Sequence, residues 1–296
     1  MKILILGGDG MLGHQLSRNL RSRHELRVTL RQDFAAYRQF GLFDEDSAYS
    51  GIDAGSIDCL TEVFSDFQPE AVINGIGVIK QRATAKEAIP SIEINSLLPH
   101  RLALLCRDYG SRLVHLSTDC VFSGKKGNYQ EPDPSDADDL YGKSKFLGEV
   151  HDEHCLTLRT SIIGRELSRK QSLVEWFLGQ SGPIKGFQRA IYSGFPTLEM
   201  GRIIEKMLIE HPDASGVYQV SSDPISKFEL LSLIKERMSL DIEIVPDRDF
   251  SSDKSLDSAR FRREFDYSPP SWPRLIEEMV RDYQGSNLYD KGFNGG

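Results

Sequence analysis

The stretch MKILILGGDGMLGHQL (residues 1–16) runs from an apolar segment, Lys2 to Gly7, into the glycines Gly7, Gly8, Gly10 and Gly13. From there Met11, Leu12, Leu16 and Leu20 recur at helical spacing. A strand buried on both faces reads as a near-continuous apolar run, so the segment predicts strand, tight turn and helix. A tight turn, a close approach of backbone to a pyrophosphate, and close helix–strand packing each ask for a residue without Cβ. The helix that follows offers its N-terminal N–H groups to an anion. In this context the glycines read as a nucleotide loop. They fit two registers, G-x-G-x-x-G on Gly8, Gly10 and Gly13, and G-x-x-G-x-x-G on Gly7, Gly10 and Gly13. Glycine spacing alone does not choose between them.

Outward from the loop, LRVTL (26–30), AVINGIG (71–77), RLVHLST (112–118) and CLTLRTSII (155–163) read as further strands, with a helix over residues 92–109. Strands alternating with helices predict an α/β fold, a Rossmann-type doubly wound parallel sheet. Beyond about Gly164 the pattern loosens. Helices are expected over 172–178 and 198–210. The strand GVYQVSS (216–222) is expected to return to the main sheet. A helix over 227–238, the strand IEIV (242–245) and a last helix over 273–283 follow. The expected organisation is a nucleotide-binding domain over 1–164 and a smaller C-terminal α/β substrate lobe over 165–296. That lobe would cover the carboxyl ends of the strands, where open sheets bind ligands. The polar tail 284–296 reads as flexible.

Composition narrows the function. With 296 residues and 39% hydrophobic and 27% charged content, the chain is an ordinary globular protein. A net charge of -8 argues against nucleic acid, but leaves room for a small anion held by amides and arginines. No apolar run approaches the roughly 18 residues of a membrane span. Cys59, Cys106, Cys120 and Cys155 show no metal-ligand spacing, so no metal site is expected and the thiols read as reduced. Met1-Lys2 leads straight into the first strand with no cleavage site, so a cytoplasmic location is expected.

The end of the second strand selects the nucleotide. An acid there would hold the ribose hydroxyls of NAD, and an arginine the 2′-phosphate of NADP. The chain reads Thr29-Leu30-Arg31-Gln32, so Arg31 points to NADPH over NADH. Asp53, in GIDAGSID, is a weaker candidate for the adenine amino group. Further on, YGKSK sets Tyr141 and Lys145 at i and i+4 on one helix face. A nearby ammonium is expected to lower the phenol's pKa from about 10, and such a tyrosine can protonate a carbonyl as hydride arrives at its carbon.

Glycine loop, Ser117-Thr118 strand end and Y-x-x-x-K together resemble the extended short-chain dehydrogenase/reductase family, whose loop register is Gly7, Gly10 and Gly13. Within it, LSTDCVFSGKKGNYQEPD (116–133), LYGKSKFLGEV (140–150), LRTSIIG (158–164) and KSLDSARFRREFDYSPPSW (254–272) are similar to dTDP-4-dehydrorhamnose reductases and related 4-keto-6-deoxy nucleotide-sugar reductases. The resemblance covers almost the whole chain. It implies that Thr118 polarises the substrate carbonyl, Tyr141 is the general acid, and Lys145 orients the nicotinamide ribose and tunes Tyr141. It places Met11, Leu12, Asn74 and Gly75 beside the cofactor with the glycines, and gives Asn95 either a role in shaping its helix or one in the proton path. Cys120 stands where the family usually has tyrosine, so with Asp119 it would form an altered substrate wall. NGIGVIKQR (74–82) replaces an alanine-rich stretch, which brings Lys80 and Gln81 forward as substrate contacts. Arg189, Tyr192 and Arg202 are candidates for the diphosphate. A nucleotide-sugar substrate is implied, and a homodimer is left open. Sugar-nucleotide dehydratases need an Asp-Glu pair after the threonine. Asp119-Cys120 lacks the glutamate, which disfavours them. An epimerase, or a non-catalytic NADP-binding subunit like the regulatory subunit of methionine adenosyltransferase, are the other readings.

Overall fold

The computed structural model describes residues 1–79, 87–168 and 170–289. In the first half, β1 (Lys2–Leu6), α1 (Met11–Leu20), β2 (Glu25–Thr29) and β3 (Ala48–Tyr49) are followed by α2 (Ile57–Phe67) and β4 (Ala71–Asn74). Then come α3 (Ala88–Ser91), a π-helical stretch (Ile92–Leu97), α4 (Leu98–Tyr109), β5 (Arg112–Thr118), α5 (Leu140–Leu147) and β6 (Cys155–Thr160). The second half holds β7 (Ile162–Ile163), α6 (Leu173–Leu178), β8 (Ile184–Tyr192), β9 (Phe195–Pro196), α7 (Thr197–Ile209) and β10 (Gly216–Gln219). It closes with β11 (Ile225–Ser226), α8 (Lys227–Met238), β12 (Ile244–Asp253), α9 (Ala259–Glu264) and α10 (Trp272–Gln284).

Seven strands form one sheet in the order β10-β6-β5-β4-β1-β2-β3. Every pairing in it is parallel. This is a Rossmann-like α/β fold, and the chain reverses its winding between β1 and β4, the place where such sheets open a ligand crevice. The apolar run of β1 is buried on both sides, with Ile3, Leu4, Ile5 and Leu6 fully inaccessible. One face of the sheet packs Leu16 and Leu20 of α1 with Ile203 and Met207 of α7. The other packs Leu60 and Phe64 of α2 with Leu98 and Leu102 of α4. Among the described residues, no helix is long and apolar enough to cross a membrane.

The C-terminal part holds a second, three-stranded sheet, β11-β8-β12. Its central strand β8 does not show in the sequence pattern, because Lys185 and Arg189 point outward between only a few buried positions. The run CLTLRTSII breaks at Ser161, whose carbonyl accepts from Phe195 N at 2.8 Å. Residues 162–163 thereby leave the main sheet and pair with β9. The tail expected to be loose from residue 284 instead packs through Tyr289, which is 6% exposed. Apolar and aromatic neighbours outweigh its polar composition, since its ring meets Tyr283 edge-on at 5.4 Å.

Candidate active site

The glycine loop lies at the carboxyl end of β1. Gly7 adopts φ +82°, and Gly10 N donates to Gly7 O at 3.0 Å. A Cβ on Gly13 would stand 2.0 Å from that same carbonyl, so residues 7 and 13 require each other. Gly10 is the N-cap of α1 and has no side chain of its own to cap the first turn. The amides of that turn, from Met11 and Leu12 onward, therefore face the crevice with the positive end of the helix dipole behind them. Thr29 fixes the loop to β2, accepting from Gly7 N at its hydroxyl (3.1 Å) and from Gly8 N at its carbonyl (2.9 Å).

Arg31 lies two residues beyond the end of β2 and is exposed at the same rim. Residues 51 and 52 run beside it, donating to Gln32 O (3.3 Å) and Leu30 O (2.9 Å). This brings exposed Asp53 to the neighbouring position, its carboxylate accepting from Gly55 N at 3.0 Å. Asn74, expected among the cofactor contacts, is used internally. It is fully buried, its Oδ1 accepts from Ile76 N at 3.1 Å, and its Nδ2 lies 3.1 Å from His115 Nδ1. Gly75 keeps its backbone at the rim through a bond from its N to Leu6 O (3.2 Å).

Thr118 ends β5, and its hydroxyl accepts from Cys120 N at 3.1 Å and donates to Asp119 Oδ1 at 3.2 Å. Helix α5 starts at Asp139, whose carboxylate accepts from Gly142 N at 2.8 Å. It can lie against the Thr118–Cys120 turn because residue 142 has no side chain: a Cβ there would sit 2.2 Å from Cys120 O. Tyr141 is thereby turned toward the Thr118 hydroxyl. On the other side, Asn95 in the π-helical stretch ties the loop after β4 to α5. It accepts from Val78 N (2.9 Å) and donates to Val78 O (3.0 Å) and to the Ser144 hydroxyl (3.1 Å). Asn95 therefore shapes the helix that carries the pair.

The electrostatics differ from the expectation. Burial pushes the Tyr141 phenol up, not down, with Cys120 and Asp119 adding to the shift and Thr118 opposing it. The Lys145 Nζ donates to Leu116 O at 2.6 Å. Burial holds the Lys145 ammonium down to about 8, with Glu149 working the other way. Glu149 is itself locked beneath the site, accepting from Ser117 Oγ (2.6 Å) and from Arg159 Nε and Nη2 (2.8 and 2.7 Å). Tyr141 is thus a protonated acid at neutral pH.

On the substrate side, burial raises Asp119 while Lys254 and Lys227 draw it back. Burial pushes the Cys120 thiol up to about 11, and Asp119 adds to that. The Tyr192 hydroxyl is buried in the field of Asp119, beside the Ser161 side chain. Arg189 is exposed on β8 and, with Gln188, Ser226, Phe228, Glu229 and Arg248, lines a cavity of about 490 Å³. Lys227 and Lys254 escaped the sequence reading, since they reach Asp119 only because α8 and the end of β12 fold over the sheet. Arg202 is removed from the candidates: it pairs with Glu199 at 2.8 Å and with Glu278. Lys80 and Gln81 lie outside the described residues.

Over 95% of this chain and 97% of its own length, the spore coat polysaccharide biosynthesis protein SpsK of Bacillus subtilis is 26% identical. A dTDP-4-dehydrorhamnose reductase of Aggregatibacter actinomycetemcomitans is 24% identical over 94% of this chain and 98% of its own. The solved dTDP-4-dehydrorhamnose reductase of Bacillus anthracis, in complex with NADP, superposes with a TM-score of 0.78 at 21% identity, covering 95% of this chain and 99% of that one. Residues 1–179 match the RmlD substrate binding domain. With its glycine loop, Ser-Thr strand end and Tyr141–Lys145 helix in these places, the chain belongs to the RmlD substrate binding domain family.

Proposed function

We propose that the protein is an NADPH-dependent reductase of a 4-keto-6-deoxy sugar carried on a nucleoside diphosphate, acting in surface polysaccharide synthesis. The sugar is dTDP-4-dehydrorhamnose or a UDP-linked N-acetylamino analogue. The observation that carries the reading is the facing of the Tyr141 and Thr118 hydroxyls at the crevice where the sheet reverses its winding. The uncapped first turn of α1 suits a diphosphate, and exposed Arg31 suits a 2′-phosphate. When bound, NADPH supplies the hydride.

In this reading Thr118 turns its hydroxyl proton from Asp119 to the ketone oxygen and polarises it. Tyr141, kept protonated by burial, delivers its proton to that oxygen as the carbon–hydrogen bond forms. Carbonyl, hydride and proton together make the alcohol. Lys145 and the Glu149–Arg159 pair hold the floor of the site. Asp119 and the Tyr192 hydroxyl meet the sugar. Lys227, Lys254 and Arg189 lead from there toward the cavity beside Arg248, a basic path that fits a diphosphate.

The test is NADPH oxidation with both ketosugars generated in situ. Turnover with one of them identifies the substrate, and tight NADPH binding without turnover on either refutes the reductase reading. Tyr141→Phe should lower kcat by ~10²–10⁴ with NADPH binding retained, and undiminished activity would remove Tyr141 from the acid role.

A further inference from the structure

Gly10 closes the first turn of α1 with no side chain to brace it (φ −72°, ψ 166°). A Ser or Asp cap would accept from the amides of that turn and so occupy donors that an anion needs. Bracing comes instead from outside the loop. His14 Nδ1 lies 2.8 Å from Gly10 O, and its Nε2 lies 2.7 Å from the Tyr289 hydroxyl. A carbonyl only accepts, so Nδ1 carries the ring proton, Nε2 accepts, and Tyr289 donates. Burial pushes the imidazole down to about 4 and keeps it in that neutral form. Tyr289 is held in turn, with the Arg165 guanidinium 4.7 Å above its ring. Beside it, Asp282 pairs with Arg18 of α1 at 3.0 Å.

We propose that the C-terminal tail through Tyr289 is part of the dinucleotide site, with Tyr289 and His14 as positioning residues that hold the Gly10 turn ready for the diphosphate. This rests on the reading of the glycine loop as an NADPH site. The chain thereby orients its anion-binding turn while leaving the turn's own amides free.

The experiment is titration of the full chain with NADPH, followed by nicotinamide fluorescence, for the wild type, Tyr289→Phe, His14→Leu and the double variant. Thermal midpoints are measured without cofactor. Tyr289→Phe should raise the NADPH Kd ~fivefold and, because the buried His14 Nε2 loses its partner, also lower the midpoint. In the His14→Leu background it should add nothing, because the contact acts through His14. An unchanged Kd in Tyr289→Phe overturns the proposal. So does a loss that adds to that of His14→Leu. A wild type that does not bind NADPH overturns the functional reading and the tail's role with it. A wild type that binds while Tyr289→Phe is unaltered overturns the tail's role alone.

Discussion

Gly142→Ala separates local from tertiary energetics in the catalytic helix. Judged on α5 alone, alanine should stabilise, since glycine in a helix interior costs ~1 kcal/mol relative to alanine. The fold reverses the sign. A Cβ at 142 would lie 2.2 Å from Cys120 O and 2.5 Å from the Ala137 Cβ. Neither neighbour is the free end of a flexible side chain, so neither can swing away. Restoring a contact of 3.0 Å requires α5 to retreat by about 0.8 Å (3.0 − 2.2) from the turn that presents Thr118. Tyr141 is the adjacent residue and moves with it. Overpacking of this kind costs ~1–3 kcal/mol, and a misplacement on the order of 1 Å can lower a rate ~10²-fold. The assay pairs steady-state NADPH oxidation with cofactor titration and thermal melting. Expected are a kcat reduced ~10²-fold, an NADPH Kd close to wild type because the glycine loop is untouched, and a lower midpoint. A variant with wild-type kcat, or a raised midpoint, would refute the claim that residue 142 sets the position of the acid.

Three further predictions follow from the same geometry. Arg31→Ala should weaken NADPH by ~10-fold or more, the loss of a charge-assisted contact, and leave NADH nearly unaffected. Equal losses would show that Arg31 does not read the 2′-phosphate. Stability should fall on acidification through His14. Its folded value of about 4 lies below the unfolded 6.5, so between those limits only the unfolded chain takes up the proton. Stability is then complete above about pH 6.5 and declines by ~3 kcal/mol toward pH 4. Denaturant titrations of wild type and His14→Gln across that range should diverge, and parallel curves would contradict the assignment. Burial holds Lys145 at about 8, so its positive charge is lost as pH rises through that value and kcat/KM should decline there. In Lys145→Arg, which stays charged, the decline should vanish at lower absolute activity. A wild-type profile flat well above pH 8 would exclude Lys145 as the titrating group.

The parts of the fold that showed in the sequence are those whose local pattern and tertiary role coincide. β1 is apolar from Ile3 to Leu6 because both its faces are covered there, and β5 is buried over most of its length from Arg112 to Thr118. β8 escaped detection because a strand covered unevenly need not alternate. Its Lys185 and Arg189 are outward positions dictated by the lobe it builds. The site divides the same way. Thr118, Tyr141 and Lys145 stood out by motif. Burial of the phenol outweighs the Lys145 charge expected to ease Tyr141 ionisation, and pushes Tyr141 up. Arg202 looked available for a diphosphate until α10 brought Glu278 against it.

By itself the sequence determined the doubly wound sheet and picked out the glycine loop and the proposed trio of Thr118, Tyr141 and Lys145, since each is written in spacing along one or two adjoining elements. Tertiary structure alone decided what surrounds them: Lys227 and Lys254 near Asp119, Asn74 turned inward, and Tyr289 closing on His14 from 275 residues away. Those relations join elements far apart in the chain. Packing and the energetics of burial, not local pattern, set their distances and charges.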